Sequence, residues 1–127
     1  MPTSKLLLYR DDDGSAPFLV WFLAFPDIAQ NKCRVRLGCL AELGHELRRP
    51  EADTLRDGIY ELRVKAERIN YRILYFFHGR EVVVLSHGIS KQQAVVPPKE
   101  IDRAVVRKRA VVAASKKHAY GEWTYAT

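Results

Sequence analysis

Between Leu55 and Lys91 the chain reads LRDGIYELRVKAERINYRILYFFHGREVVVLSHGISK. Successive β-strand patterns follow one another there, joined only by short polar turns. Apolar alternation of this kind marks a sheet half buried against something else. Basic residues recur on one side of these strands, and a basic face on a sheet suggests a partner rich in phosphate.

The chain has 127 residues, enough for one domain with one proper core, and 47% of them are hydrophobic, which excludes disorder. A net charge of +6 favours nucleic acid or an acidic protein as partner, although many small soluble domains are as basic. Cys33 and Cys39 sit six residues apart in an expected helix and face away from each other, neither a redox pair nor a zinc spacing. His45, His78, His87 and His118 form no metal signature, so no metal and no cofactor are expected. The start, MPTSKLLLYRDDDG, lacks the apolar core of a signal peptide. The apolar run from Ala16 to Phe25 is closed by Pro26 and is too short to span a bilayer. These features predict a soluble, reduced, cytoplasmic protein with no membrane partner.

Along the chain, Lys5–Arg10 reads as a short strand and Asp11–Gly14 as a charged turn. Ser15 is a candidate N-cap, with Pro17 in the tolerated first turn of a helix. Phe18, Trp21, Phe22 and Phe25 then fall on one heavily apolar helical face, read as core. A second helix is expected from Pro26–Asp27 to a stop at Gly44, with Ile28, Lys32, Val35, Cys39 and Leu43 keeping its period. The two helices are expected to form a hairpin. His45–Thr54 reads as a polar connector. Strands are predicted over Ile59–Lys65, Ile69–Phe77 and Val82–His87, the last apolar enough to be central. Pro97–Pro98 opens a final helix, with Glu100 and Asp102 suited to its positive end and Arg107, Lys108 and Arg109 to its later turns. Residues 115–127 show no clear pattern and are read as a tail that could be flexible. The expected class is α+β: a mainly antiparallel sheet, two N-terminal helices packed on one face, and a C-terminal helix, all in a single domain spanning residues 1–127.

Register follows from arithmetic. A four-residue loop at Ala66–Ile69 pairs Lys65 with Asn70 and Arg63 with Arg72. That register sets Tyr60, Leu62 and Val64 on one face with Tyr71, Ile73 and Tyr75, whereas a three-residue loop sets Arg72 against Leu62. A turn around Gly79–Arg80 then pairs Phe77 with Val82 and carries Arg72 opposite His87. On this reading Arg63, Arg72 and His87 line up across neighbouring strands, with Lys91 just past the end. Two adjacent arginines repel unless an anion lies between them. Either a ligand anion sits there, or Glu61 or an acid from the last helix pairs with them structurally. A histidine beside paired guanidiniums could move a proton near a phosphate; a strand-end histidine can equally be structural.

The segments LRDGIYELR, INYRILYFF and VVVLSHGISKQ, followed by PP-x-E-I-x-x-A, resemble the phage-derived, HigB-like branch of the RelE/ParE toxin superfamily over roughly Ser15 to Ala114. The resemblance implies a RelE-like fold and the toxin of a type II toxin–antitoxin pair, with a cognate antitoxin and mRNA on the ribosome as partners. Better-known members with this pattern are ribosome-dependent mRNA endonucleases that need no metal, in which the RNA 2′-hydroxyl attacks its own adjacent phosphate. Carried onto this sequence, the Glu-Leu-Arg arginine is Arg63, the Tyr-Arg arginine is Arg72, and the first basic residue of the Lys-Lys pair is Lys91. Gln92 stands where the second lysine would be, Ile89 replaces a phenylalanine, and Glu61 occupies a position that is usually basic in RelE-like nucleases. Arg63, Arg72, His87 and Lys91 are the expected catalytic residues; Lys65, Arg68 and Gln92 are expected to contact RNA. His87 or Glu61 could be the base, and Lys91 or His87 the acid. The expected activity is an mRNA interferase that inhibits translation. The alternatives are a non-enzymatic gyrase poison, as in the ParE branch, and a basic RNA-binding module without catalysis.

Overall fold

The hairpin of β3 (Ile59–Ala66) and β4 (Ile69–Phe77) closes on Glu67 and Arg68, because Ala66 already pairs with Ile69. These two residues have φ of 50° and 72°, the left-handed pair whose twist matches that of the flanking strands. The predicted register therefore holds: Lys65 pairs with Asn70 and Arg63 with Arg72. The structure is a computed structural model that describes residues 4–90 and 95–123.

Around this hairpin the sheet has six strands in the order β2-β3-β4-β5-β1-β6. β1 is Lys5–Tyr9, β2 Ala52–Thr54, β5 Val82–Ser90 and β6 Ala119–Glu122. β1 and β5 run parallel; the other pairings are antiparallel. Helices α1 (Pro17–Leu23) and α2 (Asp27–Leu43) cover one face, and α3 (Pro98–Ala113) covers the other. A short α4 (Ser115–His118) leads into β6. The expected α+β arrangement is what the chain adopts.

The β5 register is corrected. Phe77 pairs with Val83, and Arg72 faces Ile89, two residues beyond His87. A bulge intervenes, since Tyr75 pairs with Leu85 but Leu74 with His87, leaving Ser86 extra. Packing explains it. Val84 and Ile89 both belong to the core under α3, yet they lie an odd number of residues apart. Strict alternation cannot place both on one face, so the strand must break its period once. The bulge still delivers His87 to the face that carries Arg63 and Arg72, but in the row of Glu61 and Leu74.

On the first face, Phe18, Phe22, Cys33, Leu37 and Leu40 pack on Leu62, Val64, Tyr71, Ile73, Tyr75, Val83 and Leu85. α1 supplies Phe18 and Phe22 as its buried residues, while Trp21 and Phe25 flank Tyr71 at the margin. The Gln30 side-chain amide in α2 donates to Phe22 O and Phe25 O, tying the two helices together. Two helix expectations change. Ala16, not Ser15, is the N-cap of α1; the Ser15 hydroxyl bonds Asp13 instead. The buried stripe of α2 is Ala29, Cys33, Leu37, Leu40 and Ala41, whereas Ile28, Val35 and Leu43 are 54%, 70% and 44% exposed. Small side chains let the helix lie close to the sheet. Burial pushes the Cys33 thiol up to about 11, which leaves it inert as a nucleophile.

Two short edge strands replace segments read as irregular. β2 forms inside the polar connector and pairs with β3; Ser115–Glu122, taken as part of the tail, forms α4 and β6, and β6 pairs with β1. Residues 124–127 of that tail lie outside the described residues.

Gly88 is where β5 meets α1. A Cβ there would lie 2.2 Å from the Trp21 ring, and Trp21 is held by its indole N–H donating to Ser90 Oγ. Gly88→Ala is expected to push the indole aside and cost about 1–3 kcal/mol, read as a lower urea midpoint at unchanged slope. An unchanged midpoint would mean that Trp21 does not pack there.

Candidate functional site

The face beneath α3 carries the polar residues that the strand alternation had singled out. Apolar Ile59, Leu74, Phe76, Val84 and Ile89 are buried under the helix. Two rows of this face cross the sheet from β3 through β4 to β5. One is Arg63, Arg72 and Ile89; the other is Glu61, Leu74 and His87.

Glu61 is 3% exposed and sits between the two arginines. Arg63 Nη2 donates to Glu61 Oε2 at 3.0 Å, and Arg72 Nη1 lies 3.2 Å from Glu61 Oε1. The anion between the paired guanidiniums is thus the chain's own carboxylate, the structural alternative left open by the sequence. Arg63 Nη2 also reaches Asp53 Oδ2 on β2 at 3.3 Å, and Asp53 is in turn held by Arg49 at 2.8 Å. Neither Glu51 nor Asp53 stood out in the sequence, because β2 is too short and polar to show a period; Glu51 pairs with Arg36 of α2 at 3.7 Å.

This cluster is not fully satisfied. Glu61 Oε1 is close to Arg72 but makes no aligned hydrogen bond, and the buried Arg63 Nε has no hydrogen-bond partner among the described residues. Buried polar groups left in this way call for an explanation, since a carboxylate can accept several bonds and each missing one costs stability. Beside the cluster, where β2 ends and β3 continues alone, opens a cleft of about 180 Å³. Arg36, Arg63, Lys65, Asn70 and Arg72 line it together with Glu51. The structure therefore brings Arg63, Arg72 and Lys65 together. Arg68 is exposed at the hairpin tip, outside the cleft lining. Lys91 and Gln92 lie outside the described residues.

His87 stands apart from the arginine pair. Its Nδ1 is 2.8 Å from Ser86 Oγ, and its Nε2 is 3.1 Å from Glu100 Oε1 in the first turn of α3. Glu100 also accepts from Arg103 at 3.1 Å. Burial, then the nearby Arg107, pushes the His87 pKa down to about 4, against the opposing pull of Glu100. The imidazole is therefore neutral at pH 7. The unfolded chain takes up this proton near the ordinary histidine value of about 6.5, the folded chain only near 4. Stability is expected to fall as pH drops from about 6.5 towards 4, and His87→Gln should flatten that part of the curve. Thermal melting at several pH values checks this; identical slopes in the two proteins would remove His87 as the cause.

Among the described residues no group of His, Cys, Asp and Glu could hold a metal ion, and no helix is long and apolar enough to cross a membrane. The site's chemistry is that of a carboxylate clamped by two guanidiniums at the edge of a basic cleft. A family model described as "Phage derived protein Gp49-like (DUF891)" matches residues 20–109, a span that contains α2, β2 to β5 and the Glu61–Arg63–Arg72 cluster. No curated protein matches the chain.

Proposed function

The chain belongs to the phage-derived Gp49-like family, within the RelE/ParE-like group of toxin–antitoxin toxins, and from that premise we propose that it is an RNA-cleaving toxin acting on ribosome-bound mRNA without a metal. The observation that carries this reading is the buried Glu61 carboxylate between Arg63 and Arg72, short of one aligned hydrogen bond among the described residues.

Cleavage needs a base at the 2′-hydroxyl, charge stabilisation at phosphorus and an acid at the leaving oxygen. A phosphate entering from the cleft exchanges with Glu61 on the guanidiniums, which are suited to bidentate contacts with phosphate oxygens. Glu61, released beside the substrate, accepts the proton of the 2′-hydroxyl. The 2′-oxygen attacks phosphorus, the bond from phosphorus to the 5′-oxygen breaks, and the products are a 2′,3′-cyclic phosphate and a 5′-hydroxyl. Dependence on the 2′-hydroxyl restricts the reaction to RNA. His87 is neutral at rest and a poor proton donor at neutral pH, which supports Lys91 as the acid at the 5′-oxygen. Lys65 and Arg68 serve as backbone contacts beside the cleft, with Gln92 next to Lys91.

A second reading is a non-cleaving gyrase poison, favoured by the same ion pairs, because Glu61 and Asp53 neutralise the arginines at rest. Expression without the cognate antitoxin is expected to stop bacterial growth under either reading, and an antitoxin with an acidic segment would suit the Arg63–Arg72 face. The two are separated by adding the pure protein to translating ribosomes and mapping mRNA 5′ ends, with DNA supercoiling by gyrase measured in parallel. New 5′ ends inside the reading frame with gyrase unaffected support cleavage. Intact mRNA with blocked supercoiling would replace it by the gyrase reading.

A further inference from the structure

A second basic surface lies on α3, away from the arginine pair. Lys99, Arg103 and Arg107 follow at steps of four residues, so they form one ridge along the helix. Eight residues at 1.5 Å each make this ridge about 12 Å long, enough to face several successive phosphates of one strand. The ridge borders a groove of about 440 Å³ lined also by Tyr9, Asp11, Asp102 and Val106.

Two of the acids nearby are occupied. Asp102 is paired with Arg56, and Glu100 is shared between Arg103 and His87. Asp11 is the remaining carboxylate of the groove lining. Lys99 has no ion pair among the described residues. Arg107 is fixed in place: its guanidinium lies 5.2 Å from the centroid of the Tyr9 ring, and that ring stacks on His118 with centroids 5.6 Å apart. Arg103 shares its carboxylate, Glu100, with His87, and Arg107 is attracted to Asp11, so these two cations are partly balanced while Lys99 adds charge at one end; a polyanion laid along the ridge meets all three. The Val106 side chain, 61% exposed between them, offers apolar contact to a sugar or base.

The geometry points to the Lys99–Arg103–Arg107 ridge as a second binding site, for the phosphate backbone of a single RNA strand. The inference rests on the RNA-cleaving reading, and it adds an anchor on the same side of the sheet as the cluster around Glu61. Guanidiniums at fixed intervals track a regular phosphate chain. A neighbouring observation agrees: Arg107 and Arg103 both depress the proton affinity of His87, so an anion on the ridge would act on that histidine too.

The test is binding, not cleavage, so that it stands independently of activity. The probe is a fluorescent 12-nucleotide RNA whose 2′-positions are all O-methyl and which cannot be cut. Its affinity for the full chain is measured from 50 to 300 mM salt. The Lys99→Gln/Arg103→Gln/Arg107→Gln protein is expected to bind at least tenfold more weakly at 100 mM salt, with the salt slope reduced by about 2, at roughly 0.7 per phosphate contact. A control, Lys5→Gln/Lys32→Gln/Arg80→Gln, removes the same charge at exposed positions elsewhere and should change affinity less than threefold. If the triple ridge protein does not fold, Lys99→Gln/Arg103→Gln leaves the Tyr9 contact in place and should lose about 1.4 of slope. Equal losses in ridge and control proteins, or unchanged binding, overturn the site. Equal affinity for polyglutamate of matched length would assign the ridge to an acidic protein and overturn RNA. If the ridge binds RNA while wild type cuts nothing, the cleavage reading fails and the site stands.

Discussion

Arg72→Ala is expected to lower mRNA cleavage about a hundredfold or more and to destabilise the fold by about 2 kcal/mol. The activity loss follows from position. Arg72 lies on β4, in the middle of the hairpin row, with its guanidinium against Glu61 and facing the cleft. A preorganised charged donor to the reacting phosphate typically contributes about 3 kcal/mol of transition-state stabilisation. The stability loss reverses what the sequence suggests. Two adjacent arginines alone would be relieved by removing one. Here a carboxylate that is 3% exposed depends on both, and alanine would leave it with Arg63 as its near cation. Arg72→Lys keeps a charge but loses the planar fork, so it should recover most of the stability and little of the rate. Urea unfolding and single-turnover cleavage, measured on the same preparations, separate the two effects. Wild-type cleavage by the alanine protein would remove Arg72 from the site.

The largest effect on folding alone is expected at Phe18. The ring is fully buried and meets Trp21, Phe22 and Trp123 at centroid distances of 5.8, 5.8 and 5.5 Å. Phe18→Ala would empty the junction of α1 with the sheet and cost about 3–5 kcal/mol, or a melting temperature lower by roughly 15 °C. The cluster at Glu61 lies on the opposite face, so the remaining folded fraction should cleave at the wild-type rate. A melting change below a few degrees would show that α1 contributes little to the core.

What the sequence made legible is what periodicity encodes. Alternation in Ile59–Lys65 and Ile69–Phe77 settled the hairpin register and put Arg63 beside Arg72. It could not show that β5 bulges at Ser86, because Val84 and Ile89 take the same face only once α3 is in place. α2 misled for a related reason. Its large apolar residues Ile28, Val35 and Leu43 keep a helical period but face outward, while Ala29, Cys33 and Ala41 make the close contact. Edge strands β2 and β6 are three and four residues long, too short to carry a pattern. At the site, the basic residues were visible by type and Glu61 stood among their open structural partners, but alternation alone does not choose between that carboxylate, an acid of the last helix and a ligand anion. That Glu61 holds both arginines depends on which side chains turn inward, and the link from His87 to Glu100 depends on a bulge and on the docking of α3.

The central claim is that the guanidinium pair clamped on Glu61 handles a phosphate attacked by its own 2′-hydroxyl. It is tested most directly on ribosomes programmed with a short mRNA, by comparing a normal scissile nucleotide with its 2′-deoxy counterpart and reading the chemistry of the new ends. The account predicts a cut that leaves a 2′,3′-cyclic phosphate and a 5′-hydroxyl, unaffected by chelator, and no cut of the 2′-deoxy mRNA. Cleavage of the 2′-deoxy mRNA, or an intact normal mRNA at concentrations that arrest growth, would contradict it.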